Sequence, residues 1–190
     1  MDSILSERAR VRDASHRFTQ ALELLSLPGQ NERLAGIYAL DGLAGEAVDA
    51  QMHGAITEVL SAFVRRRARY DLGFTPIERT SIEVQAALTA LGRKPQQLSN
   101  QDRPLDLHGI ALREAYLPLC HFENAFLYDC DFEGALLVGA HLKGAWLARC
   151  NLTRANLDGA DLRGADLTGV KGLIPAHLTD VQWDNDTRWP

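Results

Sequence analysis

Apolar residues in the second half of the chain recur with a period of five. Leu or Phe occupies every fifth position from Leu107 to Leu167, without a break in phase. The residue two positions before each of these centres is also apolar, and in most repeats it is small. Residues two apart on an extended segment share one face. Each repeat therefore predicts a very short extended piece with both side chains buried, followed by a turn.

A period of five fits neither regular element. On an α-helix, five residues advance by about 140° beyond a full turn, which would spread the leucines around the cylinder. On a continuous strand, an odd period would place successive leucines on opposite faces. Turns favour glycine, and glycine follows several centres by two positions: Gly109, Gly134, Gly139, Gly144, Gly159, Gly164 and Gly169.

The clearest repeats read Ala-Asn-Leu-Asp-Gly, Ala-Asp-Leu-Arg-Gly and Ala-Asp-Leu-Thr-Gly over residues 155–169. They resemble the Ala-Asp/Asn-Leu-x-Gly signature of the pentapeptide-repeat family, and the resemblance covers residues 105–170. It implies a right-handed quadrilateral β-helix, with one repeat on each of four faces. Slightly more than three coils at the usual strand spacing would make a shaft of only about 15 Å.

The four faces predict which outward side chains stack. Two opposite faces are apolar in their early coils, and stacked apolar side chains mark contact surfaces, often with aromatic anchors. We expect one patch to pack within the chain and the other to bind a protein partner or a second copy; the alternative is that both pack within the chain. The residues are Phe126, Tyr128 and Trp146 on one face, and Tyr116, Leu136 and Val138 on the opposite face.

The fourth face stacks His121 on His141, with Glu123 beside them. A metal site is the alternative there, but two histidines on a polar face are more often solvated. The sequence therefore predicts no metal and no cofactor.

The three cysteines, Cys120, Cys130 and Cys150, all fall on the small inward position. A reduced thiol there packs like a slightly enlarged alanine, and intervals of ten and twenty residues do not match zinc-ligand spacing. We expect buried thiols without a redox role.

The amino-terminal half follows helical periodicity instead. Apolar stripes over residues 11–25, 34–44, 56–64 and 84–91 predict four helices in a HEAT-like or α-hairpin arrangement. Pro28-Gly29 separates the first two, Gly45 and Gly92 end the second and fourth, and Thr80 with Glu83 forms a capping box. Residues 33–40, 58–65 and 84–93 resemble the segment that precedes the repeats in many bacterial, especially actinobacterial, family members, which implies that the helices cap the first coil.

The chain is therefore predicted to be an α+β protein in three parts. Residues 1–100 form the helical capping domain, residues 101–172 form the β-helix, and residues 173–190 form a carboxy-terminal cap. In that cap, Pro175 begins a short helical turn, and Trp183 and Trp189 help to cover the end of the rod.

Composition and charge narrow the class of protein. Hydrophobic residues make up 46% and charged residues 24%, as in ordinary globular proteins. No apolar run approaches the ~18 residues of a membrane span, and the amino terminus lacks the apolar core of a signal peptide, so we expect a cytoplasmic protein. The net charge of −5 arises in residues 105–190, with twelve acids against seven bases. This argues against direct binding of nucleic acid.

No catalytic motif stands out: a phosphate-binding glycine loop, a Gly-x-Ser-x-Gly elbow and a His-Glu-x-x-His helix are all missing. The sequence predicts a non-enzymatic protein-interaction or scaffold module with no catalytic residues. Some family members protect topoisomerases such as DNA gyrase by imitating duplex DNA. That alternative requires a long, strongly acidic rod, whereas this one is short beside a DNA turn of about 34 Å. Homodimerisation in a structural or regulatory protein is the second alternative.

Overall fold

The computed structural model describes residues 2–46, 50–69, 79–93, 104–174 and 177–190. The chain divides into two compact units, Met1–Val59 with Pro95–Asp102 and Leu60–Lys94 with Arg103–Pro190. The predicted domain boundary after residue 100 and the predicted helical turn at Pro175 lie outside the described residues.

Four α-helices occupy the described part of the amino-terminal half, one for each predicted stripe. They are α1 (Asp2–Ser26), α2 (Gln30–Gly45), α3 (Ala50–Arg67) and α4 (Ile82–Leu91). Gly45 and Gly92 stand at the ends of α2 and α4, as predicted. The HEAT-like arrangement of the four helices remains a prediction.

The capping box predicted for Thr80 and Glu83 at the start of α4 is wrong. Ser81 is the N-cap, and its hydroxyl accepts a hydrogen bond from the N–H of Val84 at 3.3 Å. The backbone N–H and the hydroxyl of Thr80 both donate instead to the carbonyl of Arg113, at 3.0 and 2.9 Å. A tertiary hydrogen bond has therefore replaced the local cap that the sequence suggested for Thr80.

Helices α1 and α2 pack closely within the first unit. A Cβ atom added at Gly36 would lie 2.8 Å from the carbonyl oxygen of Ala21 and 2.9 Å from the amide nitrogen of Leu25. Both distances are well inside van der Waals contact, so glycine allows the two backbones to approach. Ala21 and Ile37 are fully buried beside this contact.

Residues 104–174 wind into a four-faced β-helix, within the second unit. Parallel bridges join residues twenty apart, which confirms the predicted assignment of repeats to faces. In order around the coil, the bridges join Asp106, Phe126, Trp146 and Asp166 on face 1; Ala111, Asp131, Asn151 and Lys171 on face 2; Tyr116, Leu136 and Asn156 on face 3; and His121, His141 and Asp161 on face 4.

The interior of the β-helix contains the two apolar series that the sequence predicted. Every Leu or Phe centre from Leu107 to Leu167 is at most 2% exposed. The smaller series from Ile110 to Val170 is buried as well, whereas Leu105 is half-buried. Two residues after every centre the backbone has a positive φ, whether or not that residue is glycine. Leu119, for example, has φ 56° and Arg149 has φ 61°.

Backbone groups at the end of α3 and after α4 pair with the first coil of the β-helix. On face 2, the N–H of Ala111 donates to the carbonyl of Ala68 at 2.6 Å. On face 4, the N–H of His121 donates to the carbonyl of Gly92 at 2.8 Å. These bonds satisfy main-chain groups that an open solenoid end would leave unpaired.

Two side chains do the same on the other faces. The Gln85 amide accepts from the N–H of Tyr116 at 2.8 Å and donates to its carbonyl at 2.7 Å, as a neighbouring strand would. On face 1, the Arg65 guanidinium donates to the carbonyl of Asp106 at 2.5 Å. The helical segment of this unit therefore reaches the first coil on all four faces.

At the far end, residues 177–190 extend two of the ladders. Gln182 forms a parallel bridge with Asp161 on face 4, and Arg188 forms one with Asp166 on face 1. Trp183 and Trp189 each follow a bridged residue, the position that a leucine centre holds in a full coil. Their rings meet edge to face with centroids 6.2 Å apart, and both remain exposed.

Candidate interaction surfaces

Four rings form two columns on face 1. Trp146 is 54% exposed and meets the half-buried Phe126 ring at 5.3 Å, with an interplanar angle of 68°. Beside them the Tyr128 ring stacks on the His108 ring, with ring centroids 4.8 Å apart and an interplanar angle of 12°. We call these four residues the aromatic patch. The structure thus brings together all three residues predicted for this face.

His108 is an addition that the predicted contact set lacked, although its position in the repeat places it on the same face. Its Nδ1 lies 2.5 Å from the Asp106 carboxylate, and the imidazole is half-buried against Tyr128. Its ring, stacked on Tyr128, extends the aromatic surface into the first coil. Stacking of this kind depends on side-chain orientation, which the sequence alone does not specify.

Paired charges border the aromatic patch. The Arg149 guanidinium donates to both carboxylate oxygens of Asp129, at 2.7 and 2.5 Å, and holds the pKa of that carboxyl below its usual value. Hydrogen bonds from the hydroxyl and N–H of Thr168 lower the pKa of Asp166 in the same way. Both acids therefore stay ionised at neutral pH and keep their ion pairs with Arg149 and Arg188.

The opposite face carries a second apolar surface, the aliphatic patch of Tyr116, Leu119, Leu136 and Val138. Tyr116 is 63% exposed and Leu119 is 66% exposed, whereas Leu136 and Val138 are half-buried. The Leu119 side chain lies over Gly139, where an added Cβ would come within 2.7 Å of it. Leu119 was missed because it occupies a turn position, two after a centre, where the sequence pattern favours glycine.

Face 2 is polar and internally paired. The Asp131 carboxylate is fully buried and accepts hydrogen bonds from Arg113 Nε at 2.5 Å and Asn151 Nδ2 at 2.9 Å. A buried carboxylate requires such partners because it has lost its water. Glu133 also accepts from Arg154 at 2.5 Å. This network pairs the charged side chains of face 2 with one another.

The cysteines are buried in the interior and free, as the sequence predicted. The thiols of Cys130 and Cys150 donate to the carbonyls of Leu107 and Leu127, at 3.0 and 2.9 Å. Burial raises the pKa of Cys120 to about 12 and raises the pKa of Cys130 well above its ordinary value. A thiol with so little thiolate is a poor nucleophile and a poor metal ligand.

Face 4 brings two imidazoles and a carboxylate together. The His121 and His141 rings stack with centroids 4.2 Å apart and an interplanar angle of 6°. The Glu123 Oε1 atom lies 3.1 Å from His121 Nδ1. In the part of the chain that the structure describes, these residues are the one group of three whose ligand atoms could hold a metal ion.

Comparison with known proteins agrees with the repeat architecture. The family profile for pentapeptide repeats matches residues 106–144 and 135–171, with eight copies. The solved structure of a pentapeptide-repeat protein from the cyanobacterium Cyanothece 51142 is 37% identical, with a TM-score of 0.31; the match covers 48% of this chain and 68% of that chain. The chain belongs to the pentapeptide-repeat family. Its coils accordingly form a right-handed β-helix.

Two further solved structures are similar to this chain over less than half of its length. One is a pentapeptide-repeat protein from the thylakoid lumen of Arabidopsis thaliana, with 27% identity, TM-score 0.30, and coverage of 40% of this chain and 59% of that chain. The other is QnrB1, a plasmid-mediated fluoroquinolone resistance protein, with 21% identity and a TM-score of 0.33; the match covers 44% of this chain and 48% of that chain. A search of curated protein sequences found no match. Among the described residues, no helix has the length and apolarity needed to cross a bilayer.

Proposed function

We propose that this pentapeptide-repeat protein is a cytoplasmic, non-enzymatic interaction module that binds a protein partner through the aromatic patch on face 1. The observation that carries the proposal is the exposed Trp146 ring, held edge to face against Phe126. Trp and Tyr are the residues most often found as energetic anchors of protein interfaces.

The scaffold makes the patch ready for binding. The N–H of Trp146 donates to the carbonyl of Ala125 at 2.9 Å, and the N–H of Leu147 donates to that of Asp166 at 2.8 Å. Main-chain bonds to the coils on both sides therefore fix the strand position from which the indole projects. A partner that docks on a preorganised surface loses less conformational entropy than one that must order it.

The chemistry of the rim suggests the character of the partner. The acids that border the patch are paired with bases: Asp106 with Arg65, Asp129 with Arg149 and Asp166 with Arg188. We infer that the partner offers an apolar or aromatic surface with a mixed polar rim. Because the rim charges are already paired, the association rate should depend only weakly on salt.

Affinity capture from the native host tests the proposal, with Trp146→Glu as the disrupting variant and Tyr116→Glu on the opposite face as its matched control. Both positions are more than half exposed, so neither change should unfold the β-helix. The captured protein is then purified and titrated against each variant. We expect loss of at least tenfold in affinity for Trp146→Glu and little change for Tyr116→Glu. Equal affinity for wild type and Trp146→Glu would remove the aromatic patch from consideration.

Two other functions each have a separate test. If the partner is a second copy, light scattering will show a dimer that Trp146→Glu dissociates. Topoisomerase protection by duplex mimicry is less well supported, because several acids of the β-helix are paired with arginines, as in Asp129–Arg149 and Asp161–Arg163. A gyrase supercoiling assay with excess protein, with and without inhibitor, tests that function. No effect on the enzyme or on its inhibition would exclude it.

A further inference from the structure

We propose that face 4 carries a binding site for a divalent transition-metal ion of the Zn²⁺ class, with His121, Glu123 and His141 as its protein ligands. One ligand atom of each residue lies within 4.8 Å of the other two. The site is separate from the aromatic patch and does not depend on the function proposed above.

The β-helix itself places the two imidazoles together. His121 and His141 form a parallel bridge, and the N–H of His141 donates to the carbonyl of Cys120 at 2.8 Å. Their Cα atoms are therefore held at the spacing of adjacent coils, and the rings stack with centroids 4.2 Å apart. The unfolded chain has no such arrangement, since the residues are twenty positions apart.

Only a small adjustment would be needed for coordination. Zn–N bonds of about 2.0–2.1 Å in a tetrahedral site place two ligand nitrogens roughly 3.4 Å apart. In the structure the ligand atoms lie within 4.8 Å of one another, and the two imidazole rings are nearly parallel, with an interplanar angle of 6°. Each imidazole would turn about its Cβ–Cγ bond until one nitrogen faces the shared ion. Both side chains are only partly buried, which leaves room for this rotation.

Glu123 supplies the third ligand and a compensating charge. Its Oε1 lies 3.1 Å from His121 Nδ1, and its side chain is exposed. Two imidazoles and one carboxylate suit Zn²⁺, Ni²⁺ or Cu²⁺ better than Mg²⁺ or Ca²⁺, which prefer oxygen ligands alone. Because the cluster opens to solvent, water would complete the coordination sphere.

The neighbours on face 4 explain why the ligand set has three members. Asp161 comes next in the ladder, but its carboxylate accepts hydrogen bonds from Arg163 at 2.8 and 2.6 Å. Because both carboxylate oxygens of Asp161 are bonded to Arg163, they do not act as ligands of the ion. Lys143 also projects from this face, and its exposed side chain is free to extend into solvent away from a bound cation.

His108 provides a matched control within the same chain. It too lies beside a carboxylate two residues away, with Nδ1 2.5 Å from Asp106 Oδ1. The next residue in its column is Tyr128, so it lacks a second imidazole. A histidine–carboxylate pair that binds metal nonspecifically would do so at both places, whereas the proposed site requires the stacked pair.

The test is a calorimetric titration of the metal-free full chain with Zn²⁺, without a polyhistidine tag. We expect one ion per chain, and affinity lowered by at least about tenfold in His121→Ala, in His141→Ala and in Glu123→Gln. His108→Ala should bind like wild type. Co²⁺ absorption should show a band characteristic of nitrogen ligation that is lost in the His121→Ala/His141→Ala double variant. Circular dichroism checks that each variant is folded.

Two results would overturn the site altogether, and a third would overturn its ligand set. One is Zn²⁺ binding by the double variant with the affinity and stoichiometry of wild type, which would place the ion elsewhere. The other is the absence of saturable binding by folded wild-type protein. Wild-type affinity in Glu123→Gln alone would remove that carboxylate and overturn the three-ligand site as stated.

Discussion

Replacement of Leu142 by alanine tests whether the leucine centres form one tightly packed interior. Leu142 is fully buried, and it occupies the same ladder as Phe122 and Leu162, which are buried in the coils on either side. The substitution removes three carbon atoms. At about 0.8 kcal/mol for each buried methylene, the lost transfer free energy is roughly 2.4 kcal/mol.

The cavity adds a further cost because the backbone cannot close around it. The N–H of Leu142 donates to the carbonyl of Asp161 at 2.9 Å, and the N–H of His141 donates to that of Cys120 at 2.8 Å. Both neighbouring coils therefore hold the main chain in place. We expect a total loss of about 3–5 kcal/mol in the free energy of unfolding, toward the upper part of the range for Leu→Ala substitutions.

Urea unfolding followed by tryptophan fluorescence measures this loss in the relevant unit, because all three tryptophans lie beyond residue 103. Leu119→Ala is the matched control: it removes the same atoms from a side chain that is 66% exposed. Its cost should stay within about 0.5 kcal/mol. If Leu142→Ala costs less than about 1 kcal/mol, or no more than Leu119→Ala, the packing account is refuted.

Three further predictions concern other parts of the molecule. At pH 8 the thiol of Cys120 should react with a thiol reagent only after unfolding, because burial raises its pKa to about 12; rapid labelling of the native chain would contradict this. Gly36→Ala should lower the melting temperature of the first unit, measured by far-UV circular dichroism, because the added Cβ would force apart the backbones near Ala21. Gly42→Ala should not lower it, because a Cβ added at Gly42 would meet nothing within 4 Å. Hydrogen bonds from Thr168 lower the folded-state pKa of Asp166, so the stability that Asp166 contributes is present above its unfolded-state pKa and is lost as pH falls through its folded-state pKa. The Asp166→Asn variant should therefore lose less stability on acidification than the wild type. An unchanged acid limb in the plot of unfolding free energy against pH would contradict this.

The repeat could be predicted almost completely from sequence because its buried positions recur at fixed intervals of five residues along the chain and twenty residues between coils. Once residues such as Leu127 and Leu147 are assigned to one face, every other position follows by counting, and the parallel bridges agree with that count. The same regularity explains why non-glycine residues such as Arg149 adopt a positive φ: the geometry of the coil requires it at each turn. Tertiary context overrode the local preference for glycine at those positions.

Features that depend on contacts between distant segments were not predictable in the same way. The Gln85 amide acts as a substitute strand for Tyr116, thirty-one positions away, and nothing in the local sequence of α4 marks it for that role. Likewise, Thr80 lost its predicted capping role to a bond with Arg113. Asp131 is fully buried although its position in the repeat is an outward one, because Arg113 and Asn151 close over it.

The aromatic patch is the feature on which the proposed function depends, and photo-crosslinking in living cells tests it most directly. A benzophenone amino acid is placed at position 146, and in a second variant at the exposed position 143 on face 4. The proposal predicts a discrete covalent adduct with one protein from position 146 and none from position 143. Equal adducts from the two positions, or no adduct from position 146, would contradict it.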